Sequence, residues 1–396
     1  MKRALVVSVA TGLFALAAGP AAAQTDQNLA MNAPDQVAWQ LFIKANVRAG
    51  GRNSMFETWA SDTDTFQMTP TFPAAPAPLV LRRPILPRLA REALQQSGAL
   101  LPAIPPDVTA TLEETRRNLP AFTFIKDNNL YKITGLRAAF GKTLSFPVDS
   151  IEVKANWVAV NDIPTFTNNR VTVAQAPQLY HTNRGNDGND YALVAMHVIS
   201  KLVPNWTWAT FEHKDNPARC DVIGCKDAFG AQPAFVPPAA STGQGYPDCT
   251  KTQALKDMLG AADIDPVYNN YCLKGSQVDF TDSTGLDVRV GNSVTENTFV
   301  PTASCMTCHG RANFDRNGKS NSFAGFLNAA SNPPIGPLGP LLPSWYWSFS
   351  SAPPIFQNMP GLTQIATSAD FVWSIPFCAV DDTRSPPVPS AFCTGK

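Results

Sequence analysis

Tyr191-Ala-Leu-Val-Ala-Met-His-Val-Ile-Ser200 and, five residues later, Trp206-Thr-Trp-Ala-Thr-Phe-Glu-His213 set the fold. In an extended chain, successive side chains point to opposite faces. The first run is apolar on both faces, with Leu193, Ala195 and Ile199 on one and Val194, Met196 and Val198 on the other, which predicts a central strand. The second places Trp206, Trp208, Thr210 and Glu212 opposite Thr207, Ala209, Phe211 and His213. Pro204 turns the connection, so the two runs are expected to pair as an antiparallel hairpin.

Outward from the hairpin, strand-like runs occur at 122–125, 130–133, 151–154, 157–160 and 171–173, and 278–300 returns to that character. Helical periodicity is expected at 35–47, 86–96, a short piece at 112–118, and 251–261. Residues 50–80 and 214–250 read as loop. The stretch 181–190 (HTNRGNDGND) also reads as loop, because it lacks the ligand spacing and closing Glu of an EF-hand, and His181 within it is expected to be exposed. The proline-rich run 331–343 excludes a regular helix or central strand. The aromatics behind it, Trp345, Tyr346, Trp347 and Phe349, are expected to be buried. The fold class is therefore α+β, a β-rich and loop-rich body with an antiparallel sheet and a few short helices.

Met1-Lys2-Arg3, an apolar run over 4–18 and Ala21-Ala22-Ala23 read as a secretory signal peptide cleaved after Ala23. That run is too short and alanine-rich for a permanent span, and no other segment has eighteen consecutive apolar residues. An exported protein of a bacterial periplasm is expected, with a β-rich body over 24–300. The chain holds 31 basic and 31 acidic residues. Loss of Lys2 and Arg3 leaves 29 against 31, a net charge of about −2, which argues against nucleic acid or an anionic membrane as partner.

Cys305-Met306-Thr307-Cys308-His309 is C-x-x-C-H, the attachment sequence of a c-type haem. On a helical turn, positions i, i+3 and i+4 share a face, so both thiols and the imidazole can meet one planar group. A thioredoxin-type redox pair or half a zinc site are the rival readings. The flanks do not resemble the strand and long helix of a redox pair, and no second C-x-x-C supplies zinc ligands. One covalent haem c is expected in a segment over 301–396. Of eight cysteines, six remain outside the motif. An even remainder in an oxidising compartment suggests three disulfides, and proximity favours Cys220–Cys225, Cys249–Cys272 and Cys378–Cys393.

Four stretches resemble an uncharacterised group of bacterial exported proteins with a cytochrome c domain: Ile151-Glu-Val-Lys-Ala-Asn-Trp157, Trp206-Thr-Trp-Ala-Thr-Phe-Glu-His-Lys-Asp-Asn216, Ser304-Cys-Met-Thr-Cys-His309 and Asp370-Phe-Val-Trp-Ser-Ile-Pro-Phe377. The resemblance spans most of the mature chain. It implies one haem, held by Cys305, Cys308 and His309, and a large non-haem portion on which the haem segment packs. It supplies no substrate. The chain is larger than a small class I cytochrome c and has no obvious long C-terminal helix.

The iron's other side decides between carrier and enzyme. Met359, in Gln357-Asn-Met-Pro-Gly361, is the candidate sixth ligand, and Met/His ligation suits electron transfer. His197 and His213 are the alternative distal ligands or proton donors, and an open side would suit a peroxidase or oxygenase. Only one C-x-x-C-H is present, which disfavours a di-haem peroxidase. A haem-based sensor is a third class. The partner would be a redox protein or a small-molecule redox substrate.

Overall fold

A computed structural model describes residues 20–83, 111–238, 247, 249–297, 299–320, 338–349 and 362–394. Its helices are α1 (Pro20–Asn32), α2 (Pro34–Asn46), α3 (Asp62–Thr65), α4 (Leu119–Asp127), α5 (Ile133–Ala139), α6 (Ile163–Phe166), α7 (Ala176–Leu179), α8 (Gln253–Gly260), α9 (Cys305–Gly310) and α10 (Ser374–Cys378). Its strands are β1 (Ala60–Ser61), β2 (Thr111–Arg117), β3 (Ile151–Ala159), β4 (Thr182–Arg184), β5 (Asp190–Ser200), β6 (Thr207–His213), β7 (Cys225–Lys226), β8 (Phe235–Val236), β9 (Tyr271–Gln277), β10 (Asn313–Phe314), β11 (Trp347–Phe349), β12 (Leu362–Gln364) and β13 (Thr367–Ser368).

The main sheet has seven strands in the order β1-β2-β3-β5-β6-β9, with β4 also paired to β5. Every pairing in it is antiparallel. β5 is its centre, as its sequence requires: ten of its eleven residues are buried. It forms the expected hairpin with β6. Strict alternation does not survive along β5, because Asn156 pairs with Ala195 and Trp157 with Leu193, leaving Val194 as an extra residue. Beyond this bulge the faces exchange. Leu193 therefore joins Met196 and Val198, while Val194 and Ala195 side with Val158 and Ala192.

One face of the sheet is apolar and covered by α2. Trp39 and Phe42 of that helix meet Phe211 of β6 with ring centroids 5.0 and 4.4 Å apart. Burying each such ring contributes about 1.5–3 kcal/mol. The opposite face is polar yet also covered. Glu113, Glu152, His197, Thr210 and Glu212 are buried there, with Lys154 half-buried among them. The covering layer comes from the C-terminal part of the chain: Ile199 and Trp208 share one hydrophobic cluster with Met306, Cys308, Phe314, Phe371 and Trp373. The haem-motif segment thus packs on the sheet rather than standing apart from it.

Several local expectations are corrected. The short helix expected at 112–118 is instead strand β2 as far as Arg117, because each residue of β2 pairs with β3 and its charges are buried against partners. Pairing here overrides the helix propensity of Glu and Arg. Residues 122–125 are not strand but the middle of α4. Its start is set by Asn118, whose Oδ1 accepts the Ala121 N–H, and by a proline in the first turn. Leu130 precedes α5 in a turn where Asn129 adopts φ 55°, so 130–133 is not strand either. Residues 171–173 form a bend and turn. Among the described residues of 278–300 no named strand occurs, and bridges such as Val290 to Ser304 remain. β4 falls in the expected loop 181–190, and β9 was not anticipated. Trp345, Tyr346 and Trp347 are half-buried rather than buried. The expected helix at 86–96 lies outside the described residues.

The disulfides are Cys220–Cys225, Cys249–Cys272 and Cys378–Cys393, the three that proximity favours. No described helix is long and apolar enough to cross a membrane. Most of the expected signal peptide lies outside the described residues, and α1 runs through its expected cleavage point.

Candidate functional site

Residues 305–310 form α9, the helical turn that the C-x-x-C-H spacing requires. Ser304 caps it, its Oγ accepting the Thr307 N–H. Gln277, the last residue of β9, accepts the Met306 N–H at 3.1 Å. The Thr307 hydroxyl donates to the Gly339 carbonyl at 2.7 Å. Met306 is fully buried in the cluster shared with the sheet. Cys305, Cys308 and His309 line a cavity with about 1110 Å³ free of protein atoms, part of it open to solvent.

One hydrogen bond orients His309. Its Nδ1 lies 2.9 Å from the Phe371 carbonyl. A carbonyl only accepts, so Nδ1 carries the proton and Nε2 keeps its lone pair. Burial pushes this imidazole down to about 4, so it is neutral near pH 7. Trp208 of β6 packs on it, with ring centroids 4.7 Å apart. The carbonyl is presented by a turn in which Asp370 and Phe371 take φ 48° and 71°, a left-handed conformation costly for residues with side chains. Asp370 holds that turn. Its carboxylate accepts the Phe146 N–H at 2.8 Å and pairs with Lys201 Nζ at 2.6 Å.

Cys305 and Cys308 are the two cysteines left as free thiols. Burial, with Glu296 nearby, pushes Cys308 up to about 12 and Cys305 upward as well. A thioredoxin-type pair needs the opposite shift. Among the described residues the sole cluster with metal-ligand spacing is Asp62, Cys378 and Cys393, whose two sulfurs are already joined to each other.

The facing wall of the cavity is the polar face of the sheet. Thr115, Lys154, His197 and Thr210 lie side by side across β2, β3, β5 and β6. Lys154 Nζ pairs with Glu113 Oε2 at 2.7 Å. From Glu113 the ion pairs continue through Arg82, Asp62 and Arg117 to Glu152. Burial alone would raise the Asp62 carboxyl, but Arg82 and Arg117 outweigh it and hold it low. Burial raises the Glu152 carboxyl, with the Asp62 charge adding to it and Arg117 opposing. His197 Nε2 lies 3.4 Å from Glu296 Oε1 and 3.1 Å from Asn292 Nδ2. Burial opposes the Glu296 charge, yet His197 and the Asn292 N–H keep its carboxyl below the usual value.

Glu296 reaches the cavity from an irregular segment clipped to the sheet by side chains. Ser293 donates its backbone N–H to Glu212 Oε1 at 2.8 Å. Thr295 donates its hydroxyl to Asn156 Oδ1 at 2.7 Å, and Asn292 Nδ2 also reaches the Thr210 hydroxyl at 3.1 Å.

Of the candidate distal histidines, all among the described residues, His197 is the one that lines this cavity. His213 is buried against Tyr180, with centroids 3.6 Å apart. Its Nε2 is 3.0 Å from the Leu179 carbonyl and its Nδ1 accepts the Asp215 N–H, so both nitrogens are taken. His181 is buried, not exposed, with Nε2 3.1 Å from Glu57 Oε1. Met359 lies outside the described residues. Sequence reasoning missed Lys154, Glu113, Asn292, Glu296 and the Phe371 carbonyl. One signal was available: Glu152, Lys154, Asn156 and Glu212 recur at every second position of otherwise apolar strands, which marks a buried polar face. Comparison with known protein families, with curated proteins and with solved structures gave no match to this chain.

Proposed function

We propose that the protein is an exported, periplasmic monohaem c-type redox protein. Its haem c would be joined to Cys305 and Cys308 and ligated by His309 Nε2. The observation that carries this reading is the geometry of α9. Two free thiols and an imidazole with an available Nε2 lie on one helical turn and line one cavity. Haem supplies one-electron carriage, and the partner is a redox protein or a small-molecule redox substrate. The chain's own contributions are separate. The Phe371 carbonyl orients His309, Trp208 packs its ring, and the buried ion pairs keep the facing wall rigid. Met359 remains the candidate for the iron's other side in an electron carrier.

A host competent in cytochrome maturation provides the test. The intact mass should exceed the apo mass by one haem, carried on the peptide holding Cys305 and Cys308. The Cys305→Ala, Cys308→Ala double variant should lose haem staining. A wild-type protein of apo mass from such a host sinks the reading.

A second reading, a haem enzyme of peroxidase or oxygenase type, is favoured by the hydrogen-bonding wall of His197, Glu296 and Lys154, which simple electron carriage does not require. Carbon monoxide separates the two. A thioether-ligated haem binds it slowly until Met359→Ala opens the iron; an enzyme with an open side binds it at once, and Met359→Ala changes nothing.

A further inference from the structure

We propose that His197 is a hydrogen-bond donor, through Nδ1–H, to a small anionic or oxygen-bearing ligand at the haem, and is not itself an iron ligand. This rests on the covalent-haem reading above. The argument begins at Asn292, which is fully buried. Its Oδ1 accepts the backbone N–H groups of Val294 at 2.9 Å and Thr295 at 2.5 Å. The amide therefore cannot flip, because Nδ2 in place of Oδ1 would set donors against donors. Nδ2 is left to donate towards Thr210 Oγ1 and His197 Nε2, each at 3.1 Å.

A nitrogen that accepts from an amide carries no proton. Neutral His197 is thus the Nδ1–H tautomer. Glu296 Oε1 lies further from the same nitrogen, at 3.4 Å. In that tautomer Nδ1 is a donor without the lone pair that iron ligation needs. Nδ1 makes no hydrogen bond to a described residue, and His197 lines the same cavity as Cys305, Cys308 and His309. The neighbouring donors on this wall are engaged: Lys154 with Glu113, and Trp208 Nε1 with the Asn205 carbonyl.

Fluoride and carbon monoxide are suitable probes, because bound fluoride accepts hydrogen bonds strongly and carbon monoxide weakly. The proteins compared are the full chain and His197→Leu, each shown by mass to carry haem. Fluoride affinity of the ferric protein should fall about 10- to 100-fold in His197→Leu, the scale of one hydrogen bond to a charged acceptor. Carbon monoxide affinity of the ferrous protein should stay nearly constant. His197→Gln, which keeps an N–H donor, should recover part of the loss. Should the leucine variant fail to fold, the wild type alone decides: the iron–fluoride vibration should shift on exchange into heavy water. Three results overturn the proposal: a bis-imidazole electron paramagnetic resonance signal, equal fluoride affinity in both proteins, or no fluoride binding and no isotope shift. A wild type without covalent haem would overturn the functional reading and this proposal together. A haem-bearing protein that fails the fluoride comparison would overturn this proposal alone.

Discussion

His213 shows what burial does to one imidazole. Its ring lies between Tyr180 and Tyr271, both nitrogens are used by the backbone, and burial lowers it from 6.5 to about 3. The unfolded chain takes up this proton near pH 6.5, whereas the folded chain resists until about pH 3. Between those values the unfolded state binds more protons, so stability is full above 6.5 and declines as pH falls. The slope from this group is at most about 1.4 kcal/mol per pH unit. Urea titrations from pH 7 to pH 4 should show the decline. His213→Gln should be less stable at pH 7 yet lose stability less steeply. An unchanged slope would mean that His213 is not buried as a neutral ring. His197, in contrast, lines the cavity and makes no hydrogen bond through Nδ1 to a described residue.

At the scale of elements, α9 is short and depends on its neighbours. Gln277 from β9, the Gly339 carbonyl and the Phe371 carbonyl from the turn before α10 all hold it. The turn is the weaker support, since two non-glycine residues with positive φ are kept there by the buried Lys201–Asp370 pair. Removing one member leaves the other charge buried and alone, which typically costs about 3–5 kcal/mol. Lys201→Met should therefore lower the unfolding free energy by that amount, read from urea titrations, and loosen His309. The double variant Lys201→Met, Asp370→Asn should recover most of the loss. Equal damage from the single and double changes would refute the pairing. β2 belongs to the same scale. Thr-Leu-Glu-Glu-Thr-Arg-Arg reads as helix by propensity and becomes strand because β3 offers it seven paired positions.

Across the whole molecule, two layers flank one sheet, and each face is buried for a different reason. The face under α2 is held by apolar area, and the other by paired charges and hydrogen bonds around the cavity. Three disulfides close local loops outside the central strands or at their ends, with sequence separations of 5, 23 and 15. Each typically contributes about 2–4 kcal/mol. Alkylation of the denatured, unreduced apo protein should label Cys305 and Cys308 and no others; six further labelled cysteines would refute the pairing. The sequence alone determined the central hairpin, because ten nearly uninterrupted apolar residues fit only a strand covered on both sides. It also determined the C-x-x-C-H turn, whose spacing is a property of a helix and needs no partner. Tertiary structure alone decided which histidine faces the cavity. His181, His197 and His213 all sit in or beside strands and look alike locally. Which one meets a carbonyl, a carboxylate or open space depends on loops arriving from distant parts of the chain. The Glu296 segment is the clearest instance: it reads as strand-like, yet it is irregular, and bonds to Glu212, Asn156 and Thr210 bring it to His197.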